Sequence, residues 1–415
     1  MEGTFRSLRV RNFRRFALGD LASHTGTAMQ RIGQSWLVLE LTGNSGLVLG
    51  ITTALQYLPW IVVGPWAGVL ADRFAKHRIL MVTGLGMGVT AGILGVLVVT
   101  GAARLWHVLV LALLLGIFGA VEIPVRHAFV AETVDPVLLP NAIGLSSATK
   151  NLGQMIGPVL AGTLIDVFGT GPVFLGNALS FGAVMIALWS IRPDELLRVQ
   201  GLERRGGQLR AGVSYAWNRP HLVLVLAVTF VVGAFAVHFQ MTSALMAATV
   251  FGQGAAEFGV LGSALAVGSL GGAVLAARFR QIRLRRVVTS AVCLGAAQLA
   301  AGLAPSYGSY LTCLLPLGVL WMMWTAAARG ALLIGTETVF RGRVLALYSA
   351  TLGSGATLGA FVGGAVGDTF GARWILILGC VSCVIVPAIA AGLFMRSEKR
   401  RAQSEAPGVL GPSSS

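Results

Sequence analysis

The feature that most constrains this sequence is a series of long apolar runs separated by short charged connectors. Residues 46–70 and 79–103 contain no Asp, Glu, Lys, Arg or His, and a burst of charge lies between them. Each run exceeds the roughly 20 residues that a helix needs to cross about 30 Å of hydrocarbon. The chain is 55% hydrophobic and 11% charged, whereas soluble domains have about 25% charged residues. The sequence therefore predicts an all-α integral membrane protein.

Apolar runs bounded by charges, Gly and Pro predict twelve transmembrane spans. They are numbered span 1 to span 12 and lie at about 15–40, 46–70, 79–100, 106–131, 141–166, 171–191, 221–248, 256–277, 286–304, 308–334, 343–367 and 373–395. Of the 31 Lys and Arg residues, 25 lie in the N-terminal segment, the C-terminal tail and the connectors that follow even-numbered spans. The positive-inside rule then predicts that both termini are cytoplasmic. The composition suits a bacterial cytoplasmic membrane.

The net charge of +15 is explained by this membrane orientation, so we expect the lipid bilayer as a partner and no nucleic acid. The cysteines all fall in predicted spans, which indicates neither a disulfide framework nor a zinc site. The sequence offers no Ser/His/Asp constellation, metal-ligand cluster or Gly-rich phosphate loop. We therefore expect no enzyme activity, no metal and no cofactor, and we expect a monomer.

The two halves of the chain are related by duplication. They share six residues at a constant offset of 202 positions, namely Gly153, Gly157, Gly162, Asp166, Phe168 and Gly169 in the first half and Gly355, Gly359, Gly364, Asp368, Phe370 and Gly371 in the second. The predicted organisation is a six-helix half over 1–191, a cytoplasmic linker over 192–220, a second six-helix half over 221–395 and a disordered cytoplasmic tail over 396–415. Two such halves place a substrate site between them at the membrane midplane.

Polar residues inside the spans indicate where this site lies, because a charge at mid-bilayer costs about 2.5–3.5 kcal/mol. Span 1 presents five of them on one helical stripe, Asp20, His24, Thr27, Arg31 and Gln34. We expect the stripe to form a water-facing wall. The other cavity candidates are Lys150 and Gln154 in span 5, His238 and Gln240 in span 7, and Trp321, Thr325 and Arg329 in span 10.

Glu122 is the acidic residue that lies deepest in a predicted span, and Arg126 follows it one helical turn later. A carboxyl group that alternates between water and an arginine can gain and release a proton. The pair is therefore either part of a proton path or a structural ion pair that never changes protonation. Asp20 is a second proton candidate or a solvated carboxylate near the end of span 1. His24 either titrates or only forms hydrogen bonds.

The charges inside the spans also bear on the substrate. Arg31, Arg126, Lys150 and Arg329 outnumber Asp20 and Glu122 by two. A cavity for lipophilic cations would be expected to have the opposite excess. This balance favours anionic or neutral amphipathic molecules.

The charged connector between spans 2 and 3 must form a tight helical hairpin with its charges near helix ends, which favours a gate. Its Gly68, Asp72, Arg73 and Lys76 resemble the signature that major facilitator superfamily transporters carry in this loop, although Ala75 replaces the second glycine of that signature. The resemblance implies a twelve-helix fold with a central cavity lined by spans 1, 4, 7 and 10. The predicted cytoplasmic gate consists of Gly68, Asp72, Arg73, Lys76, Arg78 and Glu132.

A second motif, in span 5, resembles the one found in superfamily members that export by antiport. It comprises Gly153, Gly157, Pro158 and Gly162, small residues for close helix packing and a proline suited to a hinge. Ordinary tight packing is the alternative explanation. The first span and residues 341–344 resemble the exporter branch that includes macrolide efflux proteins and the enterobactin exporter. An arginine that many antiporters carry early in span 4 has no counterpart here, so Arg126 or Arg31 would replace it.

Together these patterns predict a secondary active transporter that exports small amphipathic compounds in exchange for protons by alternating access. The substrate is a small molecule, drug-like or a secondary metabolite. A metabolite importer or symporter is one alternative, which the span 5 motif disfavours. A membrane sensor or scaffold without transport activity is another, and the polar stripe on span 1 argues against it.

Overall fold

The computed structural model describes residues 5–64, 66, 70, 73–197, 208–278, 284–334 and 336–404. Within these residues every predicted span is helical and no strand occurs. The spans are Arg11–Thr42, Gly46–Val62, Lys76–Val99, Leu105–Thr133, Leu139–Phe168, Gly171–Trp189, Pro220–Ala236 continued by Phe239–Leu245 and Met246–Val250, Ala255–Ala276, Leu284–Gly302, Tyr307–Ile334, Arg341–Phe370 and Ala372–Ser404. Shorter helical segments lie at Arg6–Arg9, Pro193–Glu195, Gln208–Trp217 and Thr338–Phe340. The all-helical prediction is confirmed.

Eight of the helical segments are long and apolar enough to cross a membrane, those of spans 3, 4, 6, 7, 8, 10, 11 and 12. Span 2 is a shorter apolar helix over its described residues. Spans 1, 5 and 9 carry charged side chains along their length or at their start. Membrane helices keep such residues where they face protein or water and not lipid.

Glycines in the left-handed region end several spans. Span 1 ends at Gly43, whose φ is 62°, and the Gly43 amide donates to the Leu39 carbonyl. Spans 5 and 11 end at Gly169 and Gly371, with φ of 78° and 95°. Only glycine adopts this conformation at little steric cost. This requirement explains why Gly169 and Gly371 occupy equivalent positions in the two halves.

The helix packing repeats between the halves. Span 1 packs against spans 5 and 6, as span 7 packs against spans 11 and 12. Spans 2 and 4 are neighbours in the first half, as spans 8 and 10 are in the second. Spans 3 and 6 correspond in the same way to spans 9 and 12. The duplication predicted from six residues is therefore a duplication of the whole helical arrangement.

The two halves meet along two helix pairs, span 2 with span 11 and span 5 with span 8. We call the face of the bundle that carries the chain ends the terminal face, and the other the opposite face. Gly50 of span 2 lies against Ala360 and Gly364 of span 11, and Gly162 of span 5 lies against Ala255 of span 8. All of these residues lie in the part of each helix nearest the opposite face. The halves are thus in close contact there.

The C-terminal end differs from the prediction. The helix of span 12 continues to Ser404, so the disordered tail predicted from residue 396 is wrong over residues 396–404. The tail begins with charged residues that have high helix propensity, and they continue the helix without a break. Residues 405–415 lie outside the described residues, as do residues 198–207 of the linker.

Candidate functional site

The centre of the first half contains a charge network built on two buried carboxylates, which we define as Asp20, Glu122, Arg126 and His24. The Arg126 guanidinium contacts the Asp20 carboxylate from span 1 and the Glu122 carboxylate from its own span. The Asp20 side chain is 1% exposed and that of Glu122 is 8% exposed. His24 Nε2 lies 3.3 Å from Asp20 Oδ2. All four proton-coupling candidates therefore lie together.

Two expectations for span 1 are corrected by this geometry. Asp20 is not solvated, because Arg126 approaches it from span 4 and Thr149 Oγ1 from span 5 lies 3.5 Å from its Oδ2 atom. Gln34 is also buried, and its Oε1 accepts a hydrogen bond of 2.9 Å from Gln56 Nε2 of span 2. The polar stripe is therefore covered by protein at both ends. Its middle part remains accessible.

The exposed cations of the interior come from both halves. Arg31 of span 1, Lys150 of span 5 and Arg329 of span 10 are all exposed. Lys150 is close enough to the other two to interact with them electrostatically. Because these residues lie well inside their spans and near one another, they border an open space between the halves. His127, which the sequence analysis missed, interacts with Lys150, Arg126 and Arg329 and is also exposed.

The remaining cavity candidates are less accessible. Thr27, Gln154, Gln240, Trp321 and Thr325 are half-buried. Thr325 Oγ1 donates to the Trp321 carbonyl at 2.9 Å, and the Trp321 ring stacks on Trp324 with 5.6 Å between centroids. His238 is 6% exposed and lies at the break between the first two helical segments of span 7. Contact of these five half-buried residues and His238 with substrate stays a prediction.

Part of the predicted gate lies outside the described residues, namely Gly68 and Asp72. Lys76 Nζ at the start of span 3 lies 2.6 Å from Glu132 Oε1 at the end of span 4. Their side chains are 15% and 11% exposed, whereas Arg73 and Arg78 are exposed. This ion pair joins two helices of the same half at the terminal face. Two of the predicted gate residues, Lys76 and Glu132, are thus in contact, and their role as a gate stays a prediction.

The span 5 motif lies at a junction of three helices. A Cβ atom on Gly153 would lie 2.8 Å from the Thr25 backbone nitrogen of span 1, and one on Gly157 would lie 2.7 Å from the Thr25 oxygen. On the other side, Pro158 Cβ lies 3.0 Å from the Cβ position of Gly262 in span 8, in the other half. The motif therefore brings span 5 close to both neighbours. Its role as an antiporter-type hinge stays a prediction.

The interior of the protein was expected to bind no metal. Within the described ranges, no group of three or more His, Cys, Asp and Glu side chains could hold a metal ion. The chemistry that this interior offers is proton exchange by carboxylates and histidines beside an arginine counterion, together with binding of anionic groups by exposed cations.

Comparison with known proteins agrees with this architecture. Residues 2–409 match the family described as transmembrane secretion effector. The chain is 32% identical over 165 residues to the staphyloferrin A transporter of Staphylococcus aureus, which covers 39% of this chain and 41% of that protein. It is 31% identical over 185 residues to the multidrug resistance protein MdtG of Yersinia enterocolitica, covering 45% and 42%. These two matches span less than half of either relative.

A longer match, over 346 residues at 25% identity, is to an uncharacterized MFS-type transporter of Bacillus subtilis and covers 79% of this chain and 80% of that protein. Among solved structures, a bacterial homologue of the human lysosomal transporter Spinster in an inward-facing, unoccupied conformation has a TM-score of 0.72 at 16% identity, covering 93% and 98%. A bacterial homologue of the iron transporter ferroportin in an inward-facing state has a TM-score of 0.71 at 15% identity, covering 92% and 98%. The chain belongs to the transmembrane secretion effector family of the major facilitator superfamily.

Proposed function

We propose that this protein exports small amphipathic compounds in exchange for protons by alternating access. The observation that carries the proposal is the contact of one buried arginine, Arg126, with two buried carboxylates, Asp20 and Glu122. A structural ion pair needs only one carboxylate. A second carboxylate in a low-dielectric interior destabilises the fold, so its presence indicates a function.

The network can take up a proton without leaving Arg126 unpaired. With both carboxylates ionised, the trio of Asp20, Glu122 and Arg126 has a net charge of −1, and with one protonated it is neutral. Arg126 then keeps the remaining carboxylate as its partner. Competition between the two carboxylates for one guanidinium provides a mechanism by which proton binding changes the contact between spans 1 and 4. His24, at 3.3 Å from Asp20, extends this route toward the open space.

Three features bear on the proposed direction of transport. The halves are in close contact near the opposite face, and exposed cations lie near one another between them, so we infer that this conformation is open toward the terminal face. The positive-inside rule predicts that this face is cytoplasmic, in a bacterial cytoplasmic membrane. The span 5 motif and the similarity to a multidrug resistance protein support export.

The substrate is proposed to be anionic. Arg31, Lys150 and Arg329 are exposed to the central space, and among the described residues no carboxylate oxygen lies within 4.0 Å of their nitrogens. Three cations close together within the membrane repel one another, and a bound anion reduces this repulsion. The apolar and aromatic surface around Trp321 suits the rest of an amphipathic molecule.

The connector between spans 2 and 3 is proposed to gate the terminal face. The Lys76–Glu132 pair holds the start of span 3 to the end of span 4 beside this connector.

The test is efflux of fluorescent anionic, neutral and cationic amphiphiles from energised cells, with and without a protonophore. Wild type, Glu122→Gln and Asp20→Asn are compared with Glu195→Gln, whose carboxylate is exposed in the linker. Each network variant leaves Arg126 one carboxylate partner, so folding is expected to survive. We expect protonophore-sensitive export of anions by wild type and Glu195→Gln, and its loss in both network variants. Undiminished export by both network variants, or export without anion preference, would contradict the proposal.

A further inference from the structure

We propose that Asp368 is a positioning residue that latches the opposite face closed; this rests on transport by alternating access. Asp368 lies at the end of span 11 in the second half, and its carboxylate contacts the start of span 2 in the first half. The Ser45 hydroxyl donates to Asp368 Oδ2 at 2.9 Å, and the Leu47 amide donates to the same oxygen at 3.0 Å. The Gly46 amide donates to Oδ1. One carboxylate therefore accepts three hydrogen bonds across the interface between the halves.

The contact completes the end of a helix. The first amides of an α-helix have no partner within the helix, and the helix dipole places partial positive charge there. In span 2, Ser45 Oγ accepts from the Val48 amide at 3.3 Å, which leaves Gly46 and Leu47 to Asp368. A negatively charged acceptor makes stronger hydrogen bonds than a neutral one. The N-terminus of span 2 is thus satisfied by a residue from the other half.

Glycines bring the two helices close enough for this contact. A Cβ atom on Gly50 would lie 3.0 Å from Gly364 Cα, and one on Gly364 would lie 3.1 Å from Leu47 Cα. If the two helices separated by a few ångströms, all three hydrogen bonds to Asp368 would be lost together, because hydrogen bonds are short-range. The latch therefore contributes only to states in which the opposite face is closed. Asp368 shifts the equilibrium toward the state open at the terminal face.

The equivalent residue of the first half provides a natural control. Asp166 ends span 5 and approaches the start of span 8, where its Oδ1 lies 3.4 Å from the Cβ position of Gly254. There the Gly254 amide already donates to Glu257 Oε2 of the same helix, at 3.1 Å. In the part of the chain that the structure describes, Asp166 accepts no hydrogen bond from span 8. Both halves have an aspartate at this position. Of the two, Asp368 accepts hydrogen bonds across the interface between the halves, and Asp166 accepts none there among the described residues.

The test measures opening directly. Ser263 of span 8 is 9% exposed, and its hydroxyl donates to the Met155 carbonyl of span 5 across the same interface. In full-length protein whose four cysteines are replaced, the alkylation rate of Ser263→Cys by a water-soluble maleimide reports the fraction of molecules open at this face, even when that fraction is small. The rate is measured in detergent with Asp368→Asn, Asp368→Ala or Asp166→Asn added.

We expect Asp368→Asn to raise the alkylation rate about tenfold, because the charge–dipole attraction is lost. Asp368→Ala should raise it further, and Asp166→Asn should change it less than twofold. Unfolding temperatures measured in parallel exclude general loosening. An unchanged rate in Asp368→Ala, or an equal increase in Asp166→Asn, would overturn the latch. The assay needs neither substrate nor a proton gradient. If Asp368→Asn raises the alkylation rate but the protein shows no export, the proposed function is refuted and the latch is not.

Discussion

The two halves share their helix packing but not their charges. Span 4 has Glu122 one turn before Arg126, and span 10 has Thr325 one turn before Arg329. Arg126 is 12% exposed and contacts two carboxylates. Arg329 is exposed, and its guanidinium carbon lies 5.5 Å from the centre of the Tyr348 ring. An arginine is present in both halves, but within the described residues the first half alone neutralises it with acids.

This difference separates two tasks that a coupled transporter needs. A network that exchanges protons needs acids close to a counterion, which the first half provides. Recognition of an anion, as proposed here, needs a cation without a carboxylate partner, and Arg329 of the second half has none among the described residues. A protein with identical halves would have both properties, or neither, on both sides of the cavity. The divergence is therefore the basis on which we propose proton coupling at spans 1 and 4 and part of the substrate contact at span 10.

The largest expected effect is that of Arg126→Gln on stability. It leaves Asp20 and Glu122 buried together without a cation, and breaking a buried ion pair in this way costs about 3–5 kcal/mol of unfolding free energy. Arg329→Gln removes an exposed cation that packs on a ring and should cost less than about 1 kcal/mol. Denaturant titration of the purified protein in bicelles measures both.

A charge-free version of the network sharpens this test. Asp20→Asn, Glu122→Gln and Arg126→Gln combined leave no buried charge unpaired, so we expect most of the stability lost in Arg126→Gln to return. Transport by this triple variant should remain absent. If Arg126→Gln and Arg329→Gln have equal effects on stability, the two arginines do not differ as the structure indicates.

Most of the fold could be predicted from the sequence. Long runs without charge determine the spans, because a membrane helix must satisfy its backbone internally and present apolar side chains to lipid. The duplicated residues predicted two related halves, and the structure gives their physical basis. Gly153 and Gly355 lie at close helix contacts, and Gly169 and Gly371 have positive φ. These requirements are local, so they are visible in a single sequence.

The candidate site was predicted only in part. The Glu122–Arg126 contact lies within one helix and follows from spacing. The contact of Arg126 with Asp20 joins spans 1 and 4, and helical periodicity does not specify how two distant helices face each other. The same reason explains why Gln34 was expected to face water and is instead bonded to Gln56. The asymmetry between Asp166 and Asp368 depends on Glu257, a neighbour that the duplicated motif does not contain.

Alanine substitution of duplicated glycines should have an intermediate and nearly equal effect in the two halves. A Cβ atom on Gly162 would lie 2.5 Å from the Ala255 oxygen, and one on Gly364 would lie 2.5 Å from the Gly46 oxygen. Gly162→Ala and Gly364→Ala should each cost about 1–3 kcal/mol of unfolding free energy through overpacking. Gly144→Ala, at a helical site with nothing within 4 Å, should be neutral or stabilise by up to about 1 kcal/mol. A large difference between Gly162→Ala and Gly364→Ala would show that packing has diverged as the charges have.

The smallest expected effect concerns the ion pairs at the terminal face. Lys76 and Glu132 are 2.6 Å apart and largely buried, whereas Arg219 and Glu337 are 2.8 Å apart with side chains 33% and 63% exposed. Exposed pairs contribute little and are screened by salt. Glu132→Gln should therefore cost about 1 kcal/mol and Glu337→Gln about 0.3 kcal/mol. Repeating the denaturant titrations at high salt should remove the effect of Glu337→Gln and preserve most of that of Glu132→Gln. If salt removes both equally, the pair in the first half is as solvated as its counterpart, and the contrast between the halves is confined to the membrane interior.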